Sequence, residues 1–115
     1  MAAGNKIKKE HHNGISILRV SGRLDAITAP KLEEALDEYI AQEAPRVLID
    51  FGQVDYLSSA GMRLLLATTK KLDSKGGKLA LCMLHDDVME IIRMAGFEKI
   101  LHIRPSEHEA IESLQ

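Results

Sequence analysis

Tryptophan is absent from this chain of 115 residues, and tyrosine and phenylalanine occur only twice each. An aromatic core is therefore excluded, and Ile, Leu, Val, Met and Ala must fill the interior. With 45% hydrophobic residues there is enough aliphatic material to do so. Cysteine occurs once, as Cys82, which rules out an intrachain disulfide. Its neighbours Ala80, Leu81, Met83 and Leu84 make it read as a small buried hydrophobe rather than a reactive thiol. Neither sign of charge dominates, and a net charge of -2 argues against a general nucleic-acid binder. Lys6, Lys8 and Lys9 read as a solvated terminal strand rather than a grip on phosphates. No apolar run approaches the roughly 20 residues needed to cross a bilayer. No charged segment followed by an apolar one opens the chain as a leader would. The expectation is a single cytoplasmic domain over residues 1–115, with no membrane partner.

Enzyme chemistry is also sparse. His11, His12, His85, His102 and His108 show no HExxH or other metal-ligand spacing, so no metal is expected. Gly76-Gly77 lacks the following Lys-Ser/Thr of a phosphate-cradling loop, and no Gly-x-Ser-x-Gly elbow occurs. No cofactor is expected. Asp25, Asp50 and Asp55 belong near strand ends, where open α/β sheets place ligands. The plain reading makes them loop-stabilising aspartates.

The chain alternates strand and helix patterns. Lys6 to His11 is a short first strand, and Asn13-Gly14 signals a hairpin into a second strand, Ile15 to Val20. Ser21 to Asp25 reads as a loop. Thr28 is positioned to cap a helix with Pro30 in its first turn, and Leu32, Ala35, Leu36, Tyr39 and Ile40 give that helix one apolar face. Arg46 to Phe51 is a strand apolar enough to be covered on both sides. Gly52 to Leu57 reads as a loop leading to a helix over 59–74. Lys78 to Leu84 is a further strand. A helix follows from Asp86 or Asp87, with Gly96 at its C′ position and Phe97 packing back on Ile92. Leu101 to Ile103 is a last strand, and Pro105 to Leu114 a last helix, with Ser106 and Glu109 spaced as a capping box. The order β-β-α-β-α-β-α-β-α predicts an α/β fold with a mixed, mostly parallel sheet and packed helices.

Ser58 and Ser59 stand where a polar loop meets the apolar run Met62-Arg63-Leu64-Leu65-Leu66. Helix starts leave backbone N–H groups unpaired and carry partial positive charge. A hydroxyl there serves as a cap, worth about 1 kcal/mol, or accepts a phosphoryl group that the helix end tolerates. Val54 and Leu57 before the serines should anchor the loop in the core and hold the hydroxyl at the surface.

Two segments resemble the STAS domain family, and within it the anti-sigma factor antagonists. Ser21-Gly22-Arg23-Leu24-Asp25 with Thr28-Ala29 and Leu32 is similar to the family's Gly-x-Leu-Asp-x-x-Thr-Ala loop and helix start. Asp55-Tyr56-Leu57-Ser58-Ser59-Ala60-Gly61-Met62-Arg63 is similar to its Asp-Ser-x-Gly-Leu phosphorylation loop. The resemblance implies a non-enzymatic module that binds an anti-sigma factor serine kinase of GHKL type when unmodified, frees a sigma factor, and lets go when phosphorylated. A PP2C-type phosphatase then restores it. Matching on Gly61 puts Ser59 at the acceptor position, with Ser58 the second choice, standing where many members carry aspartate. By the same match Asp25 helps form the docking surface, and Met62 and Arg63, expected on an exposed first turn, are partner contacts. Two other readings stand beside this one. In the first, a STAS adaptor in a signalling scaffold or lipid-transport complex uses both serines only as caps. In the second, a small enzyme or nucleotide-binding protein uses Asp25, Asp50 and Ser59. The weakly apolar first strand leaves an edge on which a homodimer is conceivable.

Overall fold

A computed structural model describes residues 6–115. Residues 1–5, part of the stretch read as lacking a leader, lie outside the described residues. The elements run β1 (Lys6–His12), β2 (Ile15–Leu24), α1 (Ala29–Ile40), β3 (Arg46–Leu57), α2 (Ser59–Ser74), β4 (Lys78–Cys82), α3 (Asp86–Ala95), β5 (His102–Arg104) and α4 (Glu107–Leu114). The five strands lie side by side in chain order. β1 and β2 form an antiparallel hairpin, and β2 to β5 are parallel. The hairpin turns on Asn13 and Gly14, both at positive φ, the geometry that makes Asn-Gly the preferred pair.

Alternation along the strands divides the interior in two. Leu18, Val20, Val47, Ile49, Leu79 and Leu81 face α1, α2 and α3 in the larger core. Ile15, Ile17, Leu48, Ala80 and Cys82 face the other side, where Ala110 and Leu114 of α4 cover them. Burial pushes the Cys82 thiol up to about 12, with Asp50 adding to the shift, so it remains a protonated core group. Among the described residues no helix is long and apolar enough to cross a membrane.

β1 runs one residue past its expected end, and two further strands run well past theirs, corrections that matter for function. Residues 21–24 and 52–57, read as loops, continue β2 and β3. They remain paired through Gly22↔Val54, Arg23↔Tyr56 and Leu24↔Leu57, with register shifts after Arg19 and after Gly22. Each irregularity re-aims the following side chains, so strict alternation fails and the sequence pattern looks like loop. Smaller corrections occur elsewhere. β4 ends at Cys82 rather than Leu84, because Met83 turns to a φ of 63°. β5 lies one residue later than expected, and α4 starts at Glu107 rather than Pro105. The cap residues of these two helices, Gly96 after α3 and Ser106 before α4, follow the sequence reading. Gly96 is left-handed with the Phe97 N–H on the Ile92 carbonyl, and the Ser106 hydroxyl accepts from the Glu109 N–H at 3.1 Å.

β1 is the exposed rim of the sheet. Its lysines are of the kind that discourages edge pairing, and Lys9 is ion-paired to Glu38 of α1. One guanidinium gathers four elements on the α4 side. Arg19 of β2 binds Glu10 of β1 at 2.7 Å, Asp50 of β3 at 2.8 Å and Glu107 of α4 at 2.6 Å. These partners hold the Arg19 charge firmly, and Arg19 in turn lowers the Glu10 carboxyl.

Candidate functional site

The extended pairing of β2 with β3 brings two chain reversals together at one end of the sheet. The N–H of Ser58 donates to the Leu24 carbonyl at 2.9 Å, tying the residue after β3 to the last residue of β2. Leu24, Val54 and Leu57 are fully buried beneath this junction, as the sequence predicts for Val54 and Leu57.

The two serines have different environments. Ser58 is extended (φ −89°, ψ 173°), and its hydroxyl accepts from the Gly61 N–H at 3.2 Å, so it caps α2. Ser59 is the first helical residue and is exposed, and its hydroxyl makes no hydrogen bond among the described residues. At Gly61 the first turn of α2 lies close against the end of β2. A Cβ there would lie 2.8 Å from both the Leu24 carbonyl oxygen and a Leu57 methyl, and 3.0 Å from the Leu24 Cγ. Glycine at this place lets the first turn sit on the two strand ends, and so fixes where Ser59 points.

Asp25 shapes the neighbouring turn. Its Oδ1 accepts from the N–H groups of Ile27 (3.0 Å) and Thr28 (3.1 Å), and its own N–H donates to the Thr28 hydroxyl at 2.9 Å. The Thr28 N–H bond, seconded by the others, holds the Asp25 carboxyl below the ordinary range. Thr28 is thus not the side-chain cap expected for α1. Its backbone is already helical, and its hydroxyl donates to the Arg23 carbonyl at 2.6 Å instead. Arg23 approaches Asp25 Oδ2 at 3.5 Å and lies 4.1 Å over the Tyr56 ring. Ile27, 82% exposed, stands at the tip of this turn.

Met62 is a correction. Expected on an exposed first turn, it is 5% accessible, because Gly61 and Met62 rather than Ser59 and Ala60 face the strands. It forms part of an apolar groove of about 320 Å³ between α2 and α3, with Leu66, Ile91, Ala95 and Phe97. Ser58, Ser59 and Arg63 complete its lining. A second groove, about 340 Å³, runs between α1 and α2 beside Ala26, Glu33, Ala60 and Arg63. Arg63 is exposed and lines both. From the sequence the groove residue Ile91 is only one of the apolar residues of the helix after Asp86 or Asp87, and Ala95 carries no signal of its own. Phe97, beyond the end of α3, reads only as a cap partner, whereas the apolar face of α3 is the pattern that carries Ile91 and Ala95.

Asp25, Asp50 and Ser59 do not converge. Asp50 is committed to Arg19 and to the Gly52 N–H at 2.8 Å, beside the start of α4. No group of three potential metal ligands forms among the described residues. Asp55 is exposed on β3, away from the Arg19 cluster.

The profile that describes STAS domains matches residues 6–110. The chain belongs to the STAS domain family. Among curated members it is 30% identical over 111 residues to an anti-sigma F factor antagonist of Paenibacillus polymyxa, covering 96% of this chain and 95% of that relative. It is 33% identical over 104 residues to an anti-sigma-B factor antagonist of Listeria monocytogenes, covering 90% of each. Among solved STAS structures, an anti-sigma factor antagonist from Mycobacterium paratuberculosis superposes with a TM-score of 0.87 at 30% identity, over 96% of this chain and 94% of that one. The α/β architecture expected from the element order is the architecture of this family.

Proposed function

We propose that this STAS domain is an anti-sigma factor antagonist whose docking is gated by phosphorylation of Ser59. The observation that carries the reading is the division of labour between the serines. Ser58 is engaged as the cap of α2, whereas Ser59 presents an exposed hydroxyl on a rigid first turn. The names of relatives similar over nine-tenths or more of the chain support the partner class. In the unmodified state the surface around Ser59, Arg63 and the turn shaped by Asp25 binds an anti-sigma factor that is itself a GHKL-type serine kinase. Met62 contributes from the groove floor. Binding frees the sigma factor.

The kinase transfers the γ-phosphoryl group of ATP to Ser59 Oγ. An O–P bond forms, ADP leaves, and the hydroxyl proton passes to a base of the kinase. The product carries about 1.5 to 2 negative charges at residue 59. The start of α2 offsets only about 0.3 to 1 kcal/mol of the cost of that charge at an exposed site. The fold tolerates it, but an interface closed over it does not, since burying an uncompensated charge costs several kcal/mol. A penalty of roughly 3 kcal/mol already weakens binding more than a hundredfold. A PP2C-type phosphatase returns the serine by hydrolysis, releasing inorganic phosphate.

Calorimetry with the cognate kinase tests this. Unmodified protein and Ser59→Ala should bind alike, and Ser59→Asp at least tenfold more weakly. Equal affinity of all three would reject the gate and leave an adaptor in which both serines are structural.

A further inference from the structure

Arg63 makes no ion pair or hydrogen bond among the described residues, whereas Arg19, Arg23 and Arg93 each pair with a carboxylate. It lies one helical turn after Ser59, and the two side chains line the same groove between α2 and α3. Residues four apart on a helix have Cβ atoms roughly 5 to 6 Å apart, within reach of a long side chain. No carboxylate competes from within that groove, since Ile91, Ala95 and Phe97 on its far wall are uncharged. On the other flank Glu33 of α1 lines the neighbouring groove beside Arg63 and forms no ion pair with it among the described residues. The guanidinium fork suits phosphate oxygens in a two-bond geometry, and its stem has an apolar wall to lie along.

We propose that Arg63 is the on-chain partner of a phosphate at Ser59, and that the pair bridges the mouth of the α2–α3 groove. This rests on Ser59 being the modified residue. Phosphorylation then changes two things together. It places charge at residue 59, and it withdraws Arg63 from contact with any docking protein. The switch is read by a rearranged side chain on a rigid helix, with no movement of the fold.

The test needs no kinase. Phosphoserine is installed at position 59 during synthesis of the full chain, and its second ionisation is followed by phosphorus NMR. An arginine partner favours the dianion, so the pKa should be lower in the otherwise native chain than in the Arg63→Gln variant, by at least about 0.3 unit. Arg23→Gln, which removes an arginine that is paired to Asp25, should leave it unchanged. Equal values with and without Arg63 would overturn the proposal, as would an equal shift from Arg23→Gln, which would make the effect one of general charge. Because no partner protein enters the titration, its failure leaves the docking gate standing. Failure of the calorimetric test likewise leaves the Arg63 measurement decisive on its own terms.

Discussion

The amide of Ser58 is bonded to the carbonyl of Leu24 at 2.9 Å, and this contact extends the sheet pairing that joins the two segments carrying the family's motifs. The two partners are 34 positions apart in sequence, with α1 and the whole of β3 between them. The junction is rigid because Leu24 and Leu57 are both buried beneath it and paired in the sheet. Ser59 inherits that rigidity.

The serines should separate in a stability measurement. Ser58→Ala removes the hydroxyl that accepts from the Gly61 N–H and should cost about 1 kcal/mol in urea unfolding. Ser59→Ala removes a solvated hydroxyl and should stay within about 0.5 kcal/mol of the parent. Reversed values would mean that Ser59 is the cap.

Gly61→Ala should destabilise by about 1 to 3 kcal/mol, since the added methyl meets the Leu24 carbonyl and Leu57. Amide chemical shifts of residues 24–28 and 57–60 should move together, because the helix must back away from both strand ends. An unperturbed spectrum at parental stability would show that the close approach does not exist in solution.

Asp25 gives a pH signature. Its folded carboxyl sits below its unfolded value, so its contribution is present above the unfolded pKa and disappears as pH falls through the folded one. Asp25→Asn should therefore be less stable than the parent at neutral pH, and the two unfolding curves should converge in acid. A constant gap across the range would place the effect in packing rather than in charge.

Arg19 should matter more than any other ion-paired residue of the sheet. Arg19→Met leaves Glu10, Asp50 and Glu107 facing one another and should cost about 2 kcal/mol at neutral pH, less than a fully buried pair because the guanidinium is partly exposed. Acid should recover part of the loss as the carboxylates protonate. Amide exchange in α4 should rise, since Glu107 tethers its first turn.

Much of this was legible beforehand where a local chemical rule decides the outcome. Asn13-Gly14 sets the hairpin, Gly96 with Phe97 ends α3, and Ser106 begins α4. The paired extensions of β2 and β3 were not legible, because their irregular register hides the alternation and their polar residues look like loop. Thr28 reads as a cap, but its hydroxyl donates to the Arg23 carbonyl and accepts from the Asp25 amide, an engagement set by the turn and not by residue type. At the site, matching on Gly61 puts Ser59 ahead of Ser58, but their different engagement, with Ser58 capping α2 and Ser59 exposed, is visible only in the three-dimensional junction. Met62 was misplaced for the same reason: which face of the first turn meets the strands depends on the contact at Gly61.

The most direct test of the whole account is phosphosite mapping after the protein is incubated with ATP and the GHKL-type serine kinase proposed as its partner. Phosphate should appear at Ser59 and not at Ser58, and Ser59→Ala should remain unmodified. Phosphate on Ser58, or none on either residue, would contradict it.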